Sequence, residues 1–150
     1  MSHYSVAREY PYPIEDVWTV VTDPDYVAQW TTTGQGGRPD GFVAIPGTQF
    51  QLVGKPTIGW AGVVYCEVVE VDAPRLLHYT WKGDKDADTV TQVRYRLEPM
   101  PGGTRFTVEH TGFTGLAGFA MSRLLGSVRR KMLTVGIPPV LAEYQRNRAA

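Results

Sequence analysis

A chain of 150 residues suits one domain built around a single core. Hydrophobic residues make up 43% and charged residues 20%, which excludes a disordered chain, and fifteen basic against fifteen acidic side chains leave no net field to draw nucleic acid, anionic lipid or an acidic partner. The single cysteine, Cys66, excludes an intramolecular disulfide; in the apolar run WAGVVYCEVVEV it is expected to be a buried structural thiol.

The N-terminal MSHYSVAREYP lacks signal-peptide character and no apolar run is long enough to span a membrane, so a soluble cytoplasmic protein is expected. HYSVAREYP alternates and predicts a first strand, ended by Pro11 and Pro13. PIEDVWTVVTD predicts a short helix opened by Pro13. Glu15 and Asp16 lie in its first turn, where the helix dipole favours negative charge, and Ile14, Val17, Trp18 and Val21 recur at helical spacing. DPDYVAQW repeats the signal, with Asp23 as N-cap and Pro24 in the first helical position. TTTGQGGRPDG then reads as a flexible loop. Its glycines lack the Gly-Lys-Ser/Thr and the strand-to-helix context of a phosphate cradle.

FVAIPGTQFQLVG, WAGVVYCEVVEVD, RLLHYTW, TVTQVRYRLEPM and TRFTVEHTGF are predicted strands, separated by the turn-forming KPTIG, DAP, KGDKDAD and PGG. In TQVRYRLE, Val93, Tyr95 and Leu97 face one way and Gln92, Arg94, Arg96 and Glu98 the other. That alternation predicts an antiparallel sheet with one dry and one wet face. In GLAGFAMSRLLGSVRRKMLTV the apolar positions Ala117, Met121, Leu124, Leu125, Val128, Met132 and Val135 recur every three or four residues. Ser122, Arg123, Gly126, Arg129 and Arg130 are then assigned to a polar side. GIPP interrupts this helix, because proline lacks the backbone donor, and PVLAEYQRN resumes it. The expected architecture is α+β in one domain spanning residues 1–150: a twisted antiparallel sheet covered by a long, kinked C-terminal helix, with two short helices after the first strand.

Three segments, in order, carry a family resemblance. YPIEDVWTVVTDPDYVAQW resembles the opening signature of the START-like, helix-grip superfamily (SRPBCC), which has the birch-pollen-allergen fold. CEVVEVDAPRLLHYTW and TVTQVRYRLEPMPGGTRFTVEHTGF are similar to successive hairpins of a subgroup, the homologues of the activator of heat-shock protein ATPase. GLAGFAMSRLLGS resembles members labelled polyketide cyclase-like, and Ile137 stands where the subgroup commonly has Gly-Trp. The resemblance implies a curved sheet gripping the C-terminal helix around a cavity for a small hydrophobic molecule; a monomer or homodimer is expected. It also implies two alternatives, a polyketide cyclase or dehydratase-like enzyme and, more remotely, a co-chaperone-like interaction module.

His110 is the first candidate for chemistry. It shares the apolar phase of its strand with Phe106 and Val108, so it is expected to be a ligand-orienting or structurally satisfied imidazole; as an enzyme the protein would use His110 or the Tyr95 hydroxyl for proton transfer. Trp60, Tyr79, Trp81, Tyr95 and Phe106 take dry-face phases with Val64 and Val93, and together could line a cavity for a flat or greasy guest. Leu124, Val128 and Met132 are the expected contribution of the helix. His78 is expected on the outer face, and Glu67 and Glu109 likewise. Asp84, Asp86 and Asp88 lack the glycine and glutamate of a calcium loop, no His/Cys/carboxylate cluster has metal spacing, and no cofactor fingerprint occurs. Arg123, Arg129, Arg130 and Lys131 form a basic helix face, expected to be solvated or to meet a partner.

Overall fold

Seven strands form one antiparallel sheet, the longer of them built on period-two alternation, and the long amphipathic helix packs on it. The computed structural model describes residues 1–31, 38–56, 58 and 60–149. In chain order the elements are β1 (Ser2–Tyr10), α1 (Ile14–Thr22), α2 (Pro24–Thr31), β2 (Arg38–Asp40), β3 (Gln49–Val53), β4 (Val63–Asp72), β5 (Leu76–Trp81), β6 (Thr91–Met100), β7 (Gly103–Phe113), α3 (Gly115–Lys131), a π-turn (Met132–Gly136) and α4 (Ile137–Ala149). The sheet order is β1-β7-β6-β5-β4-β3-β2. This is the expected α+β helix-grip arrangement.

The strand phases follow the sequence. Tyr4 and Val6 on β1, Val93, Tyr95 and Leu97 on β6, and Phe106, Val108 and His110 on β7 are all buried. Register places Tyr4 opposite His110 and His110 opposite Val93. A bulge at Val69 lies beyond Glu67, which keeps its outward phase. Two strands are shorter than expected: Pro46 and Gly47 turn the chain before β3, and β4 begins at Val63 rather than at Trp60. The segment read as a loop contributes β2, a three-residue edge strand against β3; residues 32–37 of that segment lie outside the described residues. After the tight turn of the β6–β7 hairpin only glycine fits at position 103, because a Cβ there would come within 2.1 Å of the Tyr10 carbonyl oxygen.

The helices bury the core against α1. Asp23 caps α2, its carboxylate accepting from the Asp25 amide at 2.9 Å. Val17, Val20 and Val21 of α1, Trp30 of α2 and Leu133, Ile137 and Leu141 of the C-terminal segment are fully enclosed, and the Trp30 indole donates to the Val20 carbonyl at 2.8 Å. Asp16, expected only to meet the helix dipole, is buried and ion-paired with Arg148 of α4. Arg148→Ala strands that carboxylate and is expected to cost about 1–2 kcal/mol, kept low because most of the arginine faces water. Chemical denaturation at neutral pH reads the loss, and an unchanged midpoint would show that the pair contributes nothing.

The interruption at GIPP takes the form of the π-turn. The Ile137 amide donates to Met132 O, one residue further back than in an α-helix. That frees the Leu133 carbonyl, which accepts from the buried Tyr10 hydroxyl at 2.6 Å. Arg8 Nε donates to Thr134 Oγ1 at 3.0 Å, so β1 is tied to the turn twice.

Candidate functional site

The helix α3 corrects the expected assignment of its faces. Ser122, Gly126 and Arg129, read as the polar side, are the residues it buries; Leu116, Phe119, Met121 and Leu124 are exposed, Leu116 at 89% and Leu124 at 58%. Small residues decide this. A Cβ on Gly118 would meet Phe113 at 3.0 Å and one on Gly126 would meet Tyr4 at 3.2 Å, so these glycines let the helix settle onto β1 and the end of β7. Gly126 abuts β1 while Arg129 reaches past it to β6. At about 100° per residue, Leu125, Met132, Val128 and Met121 share the flank of the helix next to Arg129. On that flank Met132 is buried and Val128 half-buried, whereas Leu124 is exposed and is not an interior wall.

Arg129 is the centre of the site and was missed as a candidate. It is 5% exposed. Its Nε donates to the Tyr4 hydroxyl at 3.4 Å and its Nη1 to the Tyr95 hydroxyl at 3.3 Å, with the Met132 sulfur 4.0 Å from Nη1. The guanidinium also stands 5.8 Å from the Tyr95 ring centroid. Among the described residues no carboxylate pairs with it. The sequence signal was present in the spacing Gly118, Ser122, Gly126, Arg129, a stripe of small residues leading to one cation.

His110 is fully buried in a ring of aromatic side chains: Phe113 at 4.5 Å, Trp81 at 5.1 Å and Tyr4 at 5.2 Å between centroids. Its Nε2 lies 2.7 Å from Thr91 Oγ1 and its Nδ1 3.1 Å from the Tyr4 hydroxyl. Thr91 in turn donates to the Trp81 carbonyl at 3.2 Å, so its oxygen accepts from Nε2–H and leaves Nδ1 to accept from Tyr4. A directed chain results, from Arg129 through Tyr4, His110 and Thr91 to the backbone. Burial first, and then the Arg129 charge, hold the imidazole neutral and lower its pKa to about 3.

Aromatic rings cross the inner face edge to face. Phe42–Phe50, Phe50–Tyr79, Tyr79–Tyr95 and Tyr95–Phe106 centroids are 5.0, 5.5, 5.7 and 5.2 Å apart. The Tyr79 and Tyr95 hydroxyls are 3.4 Å apart, and burial pushes the Tyr79 phenol well up. Val64, Val93 and Val108 are buried too, Val93 opposite Tyr79 and Val108 opposite Tyr95 in the sheet. Cys66 is buried and free, its thiol pushed up by burial as Arg129 pulls it down. Trp60 departs from the expected wall: it lies outside any strand, half-buried, with its indole donating to the Gly83 carbonyl at 3.1 Å. His78 faces outward to Gln92 at 2.7 Å, as expected. Among the described residues no group of metal-binding side chains occurs, and no helix is long and apolar enough to cross a membrane.

A separate cleft of about 780 Å³ runs over the outer face of β3–β5, where Gln49, Gln51, Tyr65, Glu67 and Lys82 line it. Its lining is mixed, since Phe50, Cys66 and Val90 also border it.

Comparison with known proteins follows the same architecture. The family model for Activator of Hsp90 ATPase homolog 1-like protein matches residues 11–128. No curated protein matches the chain. Among solved structures, protein MLL2253 from Mesorhizobium loti is 23% identical with a TM-score of 0.73, covering 97% of this chain and 98% of that one. A protein from Rhodobacter sphaeroides is 18% identical with a TM-score of 0.77, covering 95% and 93%. CalU16 from Micromonospora echinospora is 19% identical with a TM-score of 0.61, covering 98% and 85%.

Proposed function

The chain belongs to the Activator of Hsp90 ATPase homolog 1-like family, and on that premise we propose that it binds a small hydrophobic or aromatic molecule between the sheet and the C-terminal helix. The observation that carries this reading is the continuous series of edge-to-face rings from Phe42 to Phe106, ending at Arg129. Such a wall combines flat apolar rings with a few polar points, the composition of a small-molecule site, and its rings from Phe50 to Phe106 are buried in the chain alone. Tyr79, Trp81, Tyr95, Phe106 and His110 would form its sheet side, and Val128 and Met132 its helix side. A guest would enter past Met121 and Leu124, which are exposed on the helix.

Native mass spectrometry of the purified chain is the test, followed by thermal shift with whatever is released. A guest present at a hundred times its Kd should stabilise the protein by about 2.7 kcal/mol. A chain that carries nothing and is unmoved by a panel of polycyclic aromatics would refute the reading.

A second reading, a cyclase- or dehydratase-like enzyme, is favoured by the directed chain through Tyr4 and His110. Its weakness is protonation. An imidazole with a pKa of about 3 carries no spare proton at neutral pH, and both its nitrogens are engaged. Tyr95 is the better placed proton carrier of the two candidates, next to the guanidinium.

A further inference from the structure

We infer that the guest of this site is an organic acid, an aromatic or aliphatic molecule whose carboxylate is received by Arg129 and the tyrosine hydroxyls beside it. The inference rests on the reading that the sheet–helix space binds a small molecule and narrows its chemical class.

Donor accounting carries it. A guanidinium has five N–H donors. Nε uses one on Tyr4, Nη1 one on Tyr95 and a weak one on the Met132 sulfur; none of the hydrogen bonds among the described residues uses Nη2. The hydroxyls add to the surplus. Tyr4 accepts from Arg129 and gives its proton to His110, so it is spent. Tyr79 and Tyr95 share one hydrogen bond, and Tyr95 already accepts from Arg129. Whichever of the two donates, the other's phenolic proton has no acceptor among the described residues. Among the described residues the cluster therefore holds one positive charge, an unused amino group and an unused O–H, and no anion.

Two ordinary explanations fall short. A buried arginine usually answers a carboxylate, and none stands near among the described residues. An arginine in a last helical turn can answer free carbonyls, but the helix continues here into the π-turn, with Met132 N–H donating to the Arg129 and Val128 carbonyls. What fits is a planar oxyanion. A carboxylate would take Nη2 and the spare hydroxyl together, while its apolar body lay along the rings toward Val128 and Met121.

The test compares matched probes on the full chain: 2-naphthoate, methyl 2-naphthoate and 2-naphthamide, titrated by calorimetry at neutral pH and fixed salt. The acid should bind about tenfold or more tightly than either neutral analogue. In Arg129→Met that preference should vanish, with affinity for the ester little changed; Arg129→Lys, which keeps charge without the fork, should retain part of it. Equal binding of acid and ester to the wild type would overturn the organic-acid inference and leave small-molecule binding standing, whether or not the variants fold. Binding of none of the three at millimolar concentration would overturn both.

Discussion

Lowering the pH from 6.5 to 3 is expected to strip this protein of stability through His110, and His110→Gln is expected to remove most of that sensitivity. The unfolded imidazole takes a proton near 6.5, whereas the folded one, enclosed by Tyr4, Trp81 and Phe113 and facing the Arg129 cation, takes it only near 3. Within that window the unfolded chain binds more protons, so stability falls as the pH falls. The contribution is fully present above 6.5 and gone below 3. The steepest loss is about 1.4 kcal/mol per pH unit, accumulating to roughly 4–5 kcal/mol. Glutamine at this position can still accept from Tyr4 and donate to Thr91 without titrating. Denaturant unfolding of both proteins between pH 7.5 and 4 measures the difference, in which the carboxylates common to both cancel. Parallel curves would take His110 out of the acid response.

Arg129→Met is expected to make the ligand-free protein more stable, by about 1–4 kcal/mol. Removing one partner of a buried ion pair normally destabilises, because a charge is left behind. Here no opposite charge is left behind among the described residues: Tyr4 still donates to His110, and the two phenols lose only an incoming hydrogen bond. An unbranched thioether replaces the desolvated cation with apolar contact beside Met132. Thermal and chemical unfolding would both register the gain. A loss of more than about 1 kcal/mol would instead make the guanidinium a structural bracket between β1 and β6, and would weaken the organic-acid inference.

The strand phases were legible because both β6 and β7 have one wet and one dry face, so parity alone placed Tyr95, Phe106 and His110. The start of α2 was legible from Asp23-Pro24, since the cap chemistry is local. The helix α3 was not. Its hydrophobic stripe is real, but burial followed the small residues instead: Gly118 and Gly126 permit an approach to Phe113 and Tyr4 that larger side chains would block. Periodicity counts apolar residues and cannot see how closely two backbones need to approach. Arg129 was assigned to water for the same reason, although it lies on the Gly118–Ser122–Gly126 line. The strand β2 escaped notice because three residues around a proline carry too little alternation to register.

The π-turn sets what changes in length this chain can absorb. It holds one residue more than an α-helical turn would, and an extra residue in a rigid α-helix would rotate everything beyond it by about 100°. Kept as a local bulge, the surplus leaves α3 free to present Arg129 to the sheet and α4 free to present Ile137 and Leu141 to the core. A shorter, straight version would press the Pro138 ring on the carbonyl one turn earlier and would take from Tyr10 the carbonyl it now binds. The joint thus lets the two halves be aimed separately, α3 by its close approach to Tyr4 and Phe113 and α4 by the core.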